Sequence, residues 1–151
     1  MKKIKTYRLS LSRVFPVAHP KRGSPTGFYE KIQEGKKRHT IRANYLLWKK
    51  RIDEVNAGDA VLVVYDWTGK PYRSPTKTLF TFDKDSGIGV QKLTFFNKNL
   101  WHCFVDGFGH STLYSKLYEN DGLCNQDFTD WFRKYDLSKP MAIIHFTKFR
   151  Y

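Results

Sequence analysis

Acidic residues are scarce in this chain. Its 151 residues hold 14 Asp and Glu against 27 Lys and Arg, a net charge of +13. A fold does not need that imbalance, which creates a strong positive field and implies an anionic partner, with nucleic acid leading. Cysteine is also scarce. Cys103 and Cys124 form no paired ligand spacing, and His102-Cys103 has no second pair nearby. A zinc site and a disulfide framework are both set aside, and no metal or cofactor is expected. His19, His39, His102, His110 and His145 form no usable spacing either. No apolar span is long enough to cross a bilayer, and no apolar core follows the charged Met1-Lys2-Lys3-Ile4-Lys5 start. No basic amphipathic helix offers a membrane surface a large apolar face. The expected compartment is the cytoplasm. Internal repeats, linkers and low-complexity tails are absent as well.

Aromatic residues are abundant, with twelve Phe, nine Tyr and four Trp, so a chain of this length can bury a core within one domain spanning 1–151. Tyr7, Leu9 and Leu11 alternate with polar residues and predict a first strand over 7–15. Pro16 to Pro25 reads as a loop, with Ser24 or Thr26 capping a short helix over 28–34. Trp48, Ile52 and Val55 make one apolar stripe of a helix over 45–55. The Val-rich run from Ala60 to Tyr65 predicts a central strand buried on both faces. Strands are expected over 78–82, 90–96 and 141–149, the last with Ala142, Ile144 and Phe146 on one face. Trp101, Phe104 and Phe108 are expected to cover the core. Short helices are expected over 112–118 and from a cap at Asn125, through Phe128, Trp131 or Phe132, and Tyr135, to a stop at Pro140. Strands and helices mix without regular alternation, which predicts an α+β fold and a small mixed barrel rather than a doubly wound sheet.

The stretch Gly35-Lys36-Lys37-Arg38-His39-Thr40-Ile41-Arg42 links the first two helices. Residues two apart share a face of an extended strand, so Thr40 and Arg42 project together beside the basic turn at Lys37. A hydroxyl, an amine and a guanidinium gathered there can hold an anion or a polar carbonyl, or do chemistry on one. The plain alternative is a solvated charged surface. Trp67, Lys70, Tyr72 and Arg73 interleave aromatics with cations in a loop or hairpin connection, a mixture that stacks a base and neutralises a phosphate. A hairpin tip packed on the domain is the alternative there.

Gly35, Lys37, Thr40 and Arg42 resemble the G-x-K-x-x-E-x-R signature of the ASCH family, a branch of the PUA-like superfamily, with Thr40 where many members carry Glu. Gly58-Asp59-Ala60 resembles that family's entry to its next strand, and Asp121-Gly122-Leu123 its D-G-F turn. The resemblance implies a PUA-like barrel flanked by short helices, with an insertion near 67–110. The Thr variant resembles small bacterial enzymes that remove the acetyl group from acetylcytidine with a Lys, a Thr and a Glu. Lys37 and Thr40 match the first two, and Asp121 takes the third place, one methylene shorter, with Glu119 as its alternative. Other members of the superfamily are thought of as RNA-binding modules. Two functions therefore stand open. One is an RNA- or nucleotide-binding module with a pocket at Lys37, Thr40 and Arg42 and a rim of Lys36 and Arg38. The other is an amidohydrolase acting through Lys37, Thr40 and Asp121. The net charge favours the first and the Lys-x-x-Thr-x-Arg spacing the second.

Overall fold

The structure, a computed structural model, describes residues 2–151. Among these, the elements in order are β1 (Lys5–Ser10), α1 (Phe28–Gln33), β2 (His39–Ala43), α2 (Tyr45–Asn56), β3 (Ala60–Trp67), β4 (Thr76–Phe82), β5 (Gly89–Phe95), β6 (Cys103–Val105), α3 (Leu113–Asn120), α4 (Asn125–Phe132) and β7 (Met141–His145). The class is α+β. The strands form two sheets, β1-β3-β4 and β2-β7-β5-β6. β1 runs parallel to β3, and all other pairs are antiparallel. No ladder joins the two sheets among the described residues, so the expected barrel is not closed.

The helix between the sheets follows from its sequence. Asn44 sits in the left-handed conformation and its side chain accepts a hydrogen bond from the Leu47 amide at 3.3 Å, capping α2. Trp48, Ile52 and Val55 are buried as their spacing predicts, and α2 lies against β3, β5 and β7. Gly58, at φ +83, ends it and turns the chain into β3.

β7 is the strand buried on both faces. Met141 and Ile143 join Phe28, Ile41, Leu117 and Phe128 in one apolar cluster; Ala142, Ile144 and Phe146 join Leu9, Trp48, Ile52 and Leu62 in the other. This corrects the expectation for the Val-rich run. β3 buries only Ala60, Leu62, Val64 and Asp66, because no layer covers its other face. Other differences are local. β1 ends at Ser10, although Leu11 beyond it is still buried. Trp101 and Phe108 are exposed and cover no core. α4 is capped by Cys124, whose sulfur accepts from the Asp127 amide at 3.5 Å, so Asn125 is the first helical residue. α4 also ends at Phe132, well before Pro140. Thr26 does help α1 begin, accepting from the Phe28 amide at 3.4 Å, although Gly27 holds the cap position. Residues 67–110 supply β4, β5 and β6 to the two sheets. Among the described residues no helix is long and apolar enough to cross a membrane.

Candidate functional site

The signature is pinned where three elements meet. Gly35, at φ +77, turns the chain out of α1, and the Lys36 and Lys37 amides both donate to the Lys31 carbonyl. Lys37 then forms a single β-bridge with Asp121, and the Arg38 amide donates to the Asn120 carbonyl at 2.7 Å. Asp121 closes the C-terminal end of α3, where unpaired carbonyls give a partial negative charge. Two lysines answer it: Lys37 Nζ donates to the Asp121 carbonyl at 2.7 Å, and Lys31 Nζ to the Gly122 carbonyl at 2.8 Å.

Lys37 is a buried lysine, with its side chain 1% exposed. Its ammonium also donates to Asp121 Oδ1 at 3.1 Å and lies 4.1 Å from the centre of the Phe28 ring. Burial pulls its pKa down to about 8; Asp121 opposes that shift, while Arg42 and Lys31 assist it. For Asp121, burial alone would raise the carboxyl, but the Lys37 charge and the His39 ring together hold it below the ordinary carboxylate range.

Thr40 and Arg42 do share a face of β2. Arg42 Nη1 donates to Thr40 Oγ1 at 2.6 Å and to the Ile41 carbonyl at 2.9 Å, and Nη2 donates to the Ser10 carbonyl at 2.5 Å. Burial lowers the guanidinium's pKa, with Asp121 opposing. Lys37, Thr40, Arg42 and Asp121 line one small cavity, walled by Phe28 and Trp131. Its volume is about 10 Å³, room for roughly one water. Next to it, sharing Ser12 and Phe28, is a cleft of about 310 Å³. That cleft presents Lys77 and the Arg13–Asp66 ion pair, in which Arg13 reaches both carboxylate oxygens, at 3.2 and 3.3 Å. A larger cavity of about 640 Å³, by Ala43, Tyr45, Tyr135 and Pro140, shares no lining residue with the Lys37 cavity. Its charged residues Lys92, Asp136 and Lys139 are all exposed, so it holds no buried charged group of the kind found in the Lys37 cavity.

The remaining expected residues lie elsewhere. Lys36 is exposed and pairs with Glu34, and Arg38 is exposed with its guanidinium over the Phe149 ring. Neither lines the Lys37 cavity. Glu119 is exposed in a separate depression with Arg38, so Asp121 is the acid that meets Lys37. Trp67, Lys70, Tyr72 and Arg73 sit at the β3–β4 hairpin, outside the cavity.

His39 is the residue that spacing passed over. It precedes Thr40, so strand alternation turns it to the opposite face of β2, yet its Nδ1 comes within 3.4 Å of Asp121 Oδ1 from behind. That contact is long, and Nδ1 has no closer partner among the described residues. Nε2 stands 2.6 Å from the Tyr151 hydroxyl, which also accepts from Asn120 Nδ2 at 3.2 Å. Burial depresses the imidazole pKa, with Asp121 opposing. A neutral ring with its proton on Nδ1 faces the carboxylate and accepts from Tyr151. Among the described residues no group of three or more His, Cys, Asp or Glu gathers as a metal site. No family model, no curated protein and no solved structure matches the chain.

Proposed function

We propose that this chain is a divergent ASCH-type, PUA-like domain whose Lys37 site hydrolyses an amide, removing the acyl group from the exocyclic amine of a modified cytidine. One observation carries the reading: a fully buried lysine with a pKa of about 8 lies in one cavity with a threonine, an arginine and an aspartate. At pH 7 about a tenth of such lysines are neutral amines, against about one in three thousand at the ordinary value.

The chemistry divides among four side chains. Neutral Lys37 takes the Thr40 hydroxyl proton, and Thr40 Oγ1 attacks the amide carbonyl carbon. Arg42, already 2.6 Å from that oxygen, holds the oxyanion as it forms. The C–N bond then breaks, the Lys37 ammonium returns its proton to the leaving amine, and Thr40 is left as an ester. Lys37 then deprotonates a water that attacks the ester carbonyl; the carbon–Oγ1 bond breaks, the Lys37 ammonium returns the proton to Thr40 Oγ1, and the carboxylic acid leaves. Asp121 orients the Lys37 amine and accepts from the substrate's N–H. In this reading the pyrimidine ring occupies the 310 Å³ cleft, and the acyl end passes Phe28 into the small cavity. A cavity for one water does not hold an acyl group, so Phe28 or Trp131 swings aside on binding.

A second reading keeps the same residues without turnover. Lys37 donates to two Asp121 oxygens and remains an ammonium in about nine of ten molecules at pH 7, which suits a pocket that binds an unstacked base or nucleotide. Acetate release from acetylcytidine separates the two. The hydrolase reading expects turnover in the wild type and none in Thr40→Ala, with an unchanged thermal melt. Unchanged turnover in Thr40→Ala removes the nucleophile assigned here. Cytidine binding without acetate release leaves the base-binding pocket.

A further inference from the structure

The outer face of the three-stranded sheet has a chemistry of its own. Along β3, Leu62, Val64 and Asp66 turn inward, so Val61, Val63, Tyr65 and Trp67 turn outward, and these four are half-buried. Strand pairing flanks the row with Thr6, Arg8 and Ser10 of β1 and with Thr76, Thr78 and Thr81 of β4, all exposed. The only acid within β1, β3, β4 and the hairpin turn is Asp66, and it faces inward to Arg13. Arg8, Lys70 and Arg73 stand there without an ion-pair partner among the described residues.

The aromatic rings on this face are ordered. The Arg8 guanidinium lies 4.2 Å from the centre of the Tyr65 ring and donates across β3 to Thr76 Oγ1 at 3.3 Å. Tyr65 and Trp67 are 6.1 Å apart, centre to centre, and Trp67 and Tyr72 are 5.1 Å apart. Tyr72 is 88% exposed and held at φ +64, a conformation in which a bulky L-residue is strained and glycine is not. Folding alone does not ask for a tyrosine at that place.

We propose that this face binds single-stranded nucleic acid, stacking bases on Trp67 and Tyr72 and holding the backbone with Arg8, Lys70 and Arg73. Charge complementarity selects a polyanion, and the exposed rings select one with exposed π-faces. The Trp67 and Tyr72 rings are tilted by 48° to each other and so offer separate faces to unpaired bases, whereas a duplex hides the faces of its own. The surface shares no residue with the Lys37 cavity, so the inference stands whether or not that site is a hydrolase.

Fluorescence anisotropy with labelled oligouridine and oligothymidine dodecamers, and a duplex of the same length, tests it over about 50 to 500 mM salt. Both single strands should bind better than the duplex, and a preference for oligouridine would assign the natural ligand to RNA through its 2′-hydroxyls. Three phosphate contacts predict a slope of log K against log salt of about −2, falling to about −0.7 in the Arg8→Gln, Arg73→Gln double variant. Trp67→Ala and Tyr72→Gly should each weaken binding at least about fivefold, while thermal melts confirm that both remain folded. The glycine variant removes the ring and relieves the backbone together. The proposal fails if neither single strand binds at low salt, if the duplex binds as tightly, or if both ring variants bind like the wild type. It also fails if polyglutamate displaces oligouridine equally well, since the face would then be a surface for acidic proteins.

Discussion

Replacing Asp121 with asparagine removes the negative charge that stands 3.1 Å from Lys37 Nζ while keeping the side-chain shape. Burial remains and the attraction that opposes it is gone, so the Lys37 pKa falls below its wild-type value of about 8. Under the proposed hydrolase reading, the wild-type pH profile for acetate release should climb about tenfold per pH unit below pH 8 and level off above it, following the neutral amine. In Asp121→Asn the acid limb should move to lower pH, while the plateau drops because Lys37 has lost its orienting partner. Stability carries the same signature. The folded pKa of Lys37 lies below its ordinary 10.5, so between about pH 8 and 10.5 the unfolded chain binds more protons and stability rises with pH. The gain across that window is about 3 kcal/mol, from a shift of roughly 2.5 units at 1.36 kcal/mol each. Urea unfolding at several pH values should show it in the wild type and not in Lys37→Met. An acid limb that moves to higher pH in Asp121→Asn, or a wild type whose rate still climbs tenfold per unit at pH 10, would refute the reasoning.

Two further outcomes can be checked directly. Gly122 adopts φ +81, and a Cβ there would stand 3.1 Å from the Lys37 Cβ, so Gly122→Ala should cost about 1–2 kcal/mol in urea unfolding and displace the lysine. An aromatic disulfide reagent should label Cys124, which is exposed, and leave Cys103 unlabelled until the chain unfolds, because burial pushes the Cys103 thiol up to about 11. Two labels on the folded protein would contradict that burial.

Local periodicity was legible in α2, whose Trp48, Ile52 and Val55 stripe is buried as written, and in the face of β7 that carries Ala142, Ile144 and Phe146. It was less informative for β3 and β7, because a short apolar run looks the same whether one face or both is covered, and coverage depends on distant elements. The exposed Trp101 and Phe108 miss the core for the same reason: an aromatic residue in an irregular segment has no period from which to read its direction. At the site, Thr40 and Arg42 were legible from a spacing of two. The meeting of Lys37 with Asp121, 84 residues apart, was not; family resemblance supplied it. His39 was hidden by the same alternation that revealed its neighbours, since its contact with Asp121 is made behind the strand. The closure of the cavity to one water depends on where Phe28 and Trp131 pack, which no local pattern encodes.

The central place of β7 sets a timetable for the site. Thr40 pairs with Ile144 across the ladder, and β5 pairs with β7 along its other edge. A growing chain emerging at about 5–20 residues per second makes the Lys37 segment early and must wait for residues 141–145 before β2 acquires a neighbour. Until then β2 and β5 present open edges, each a template for pairing with another chain. A message cut short before that strand therefore yields no weakened version of the site. It yields a chain whose Thr40 has no fixed direction and whose two exposed edges invite aggregation.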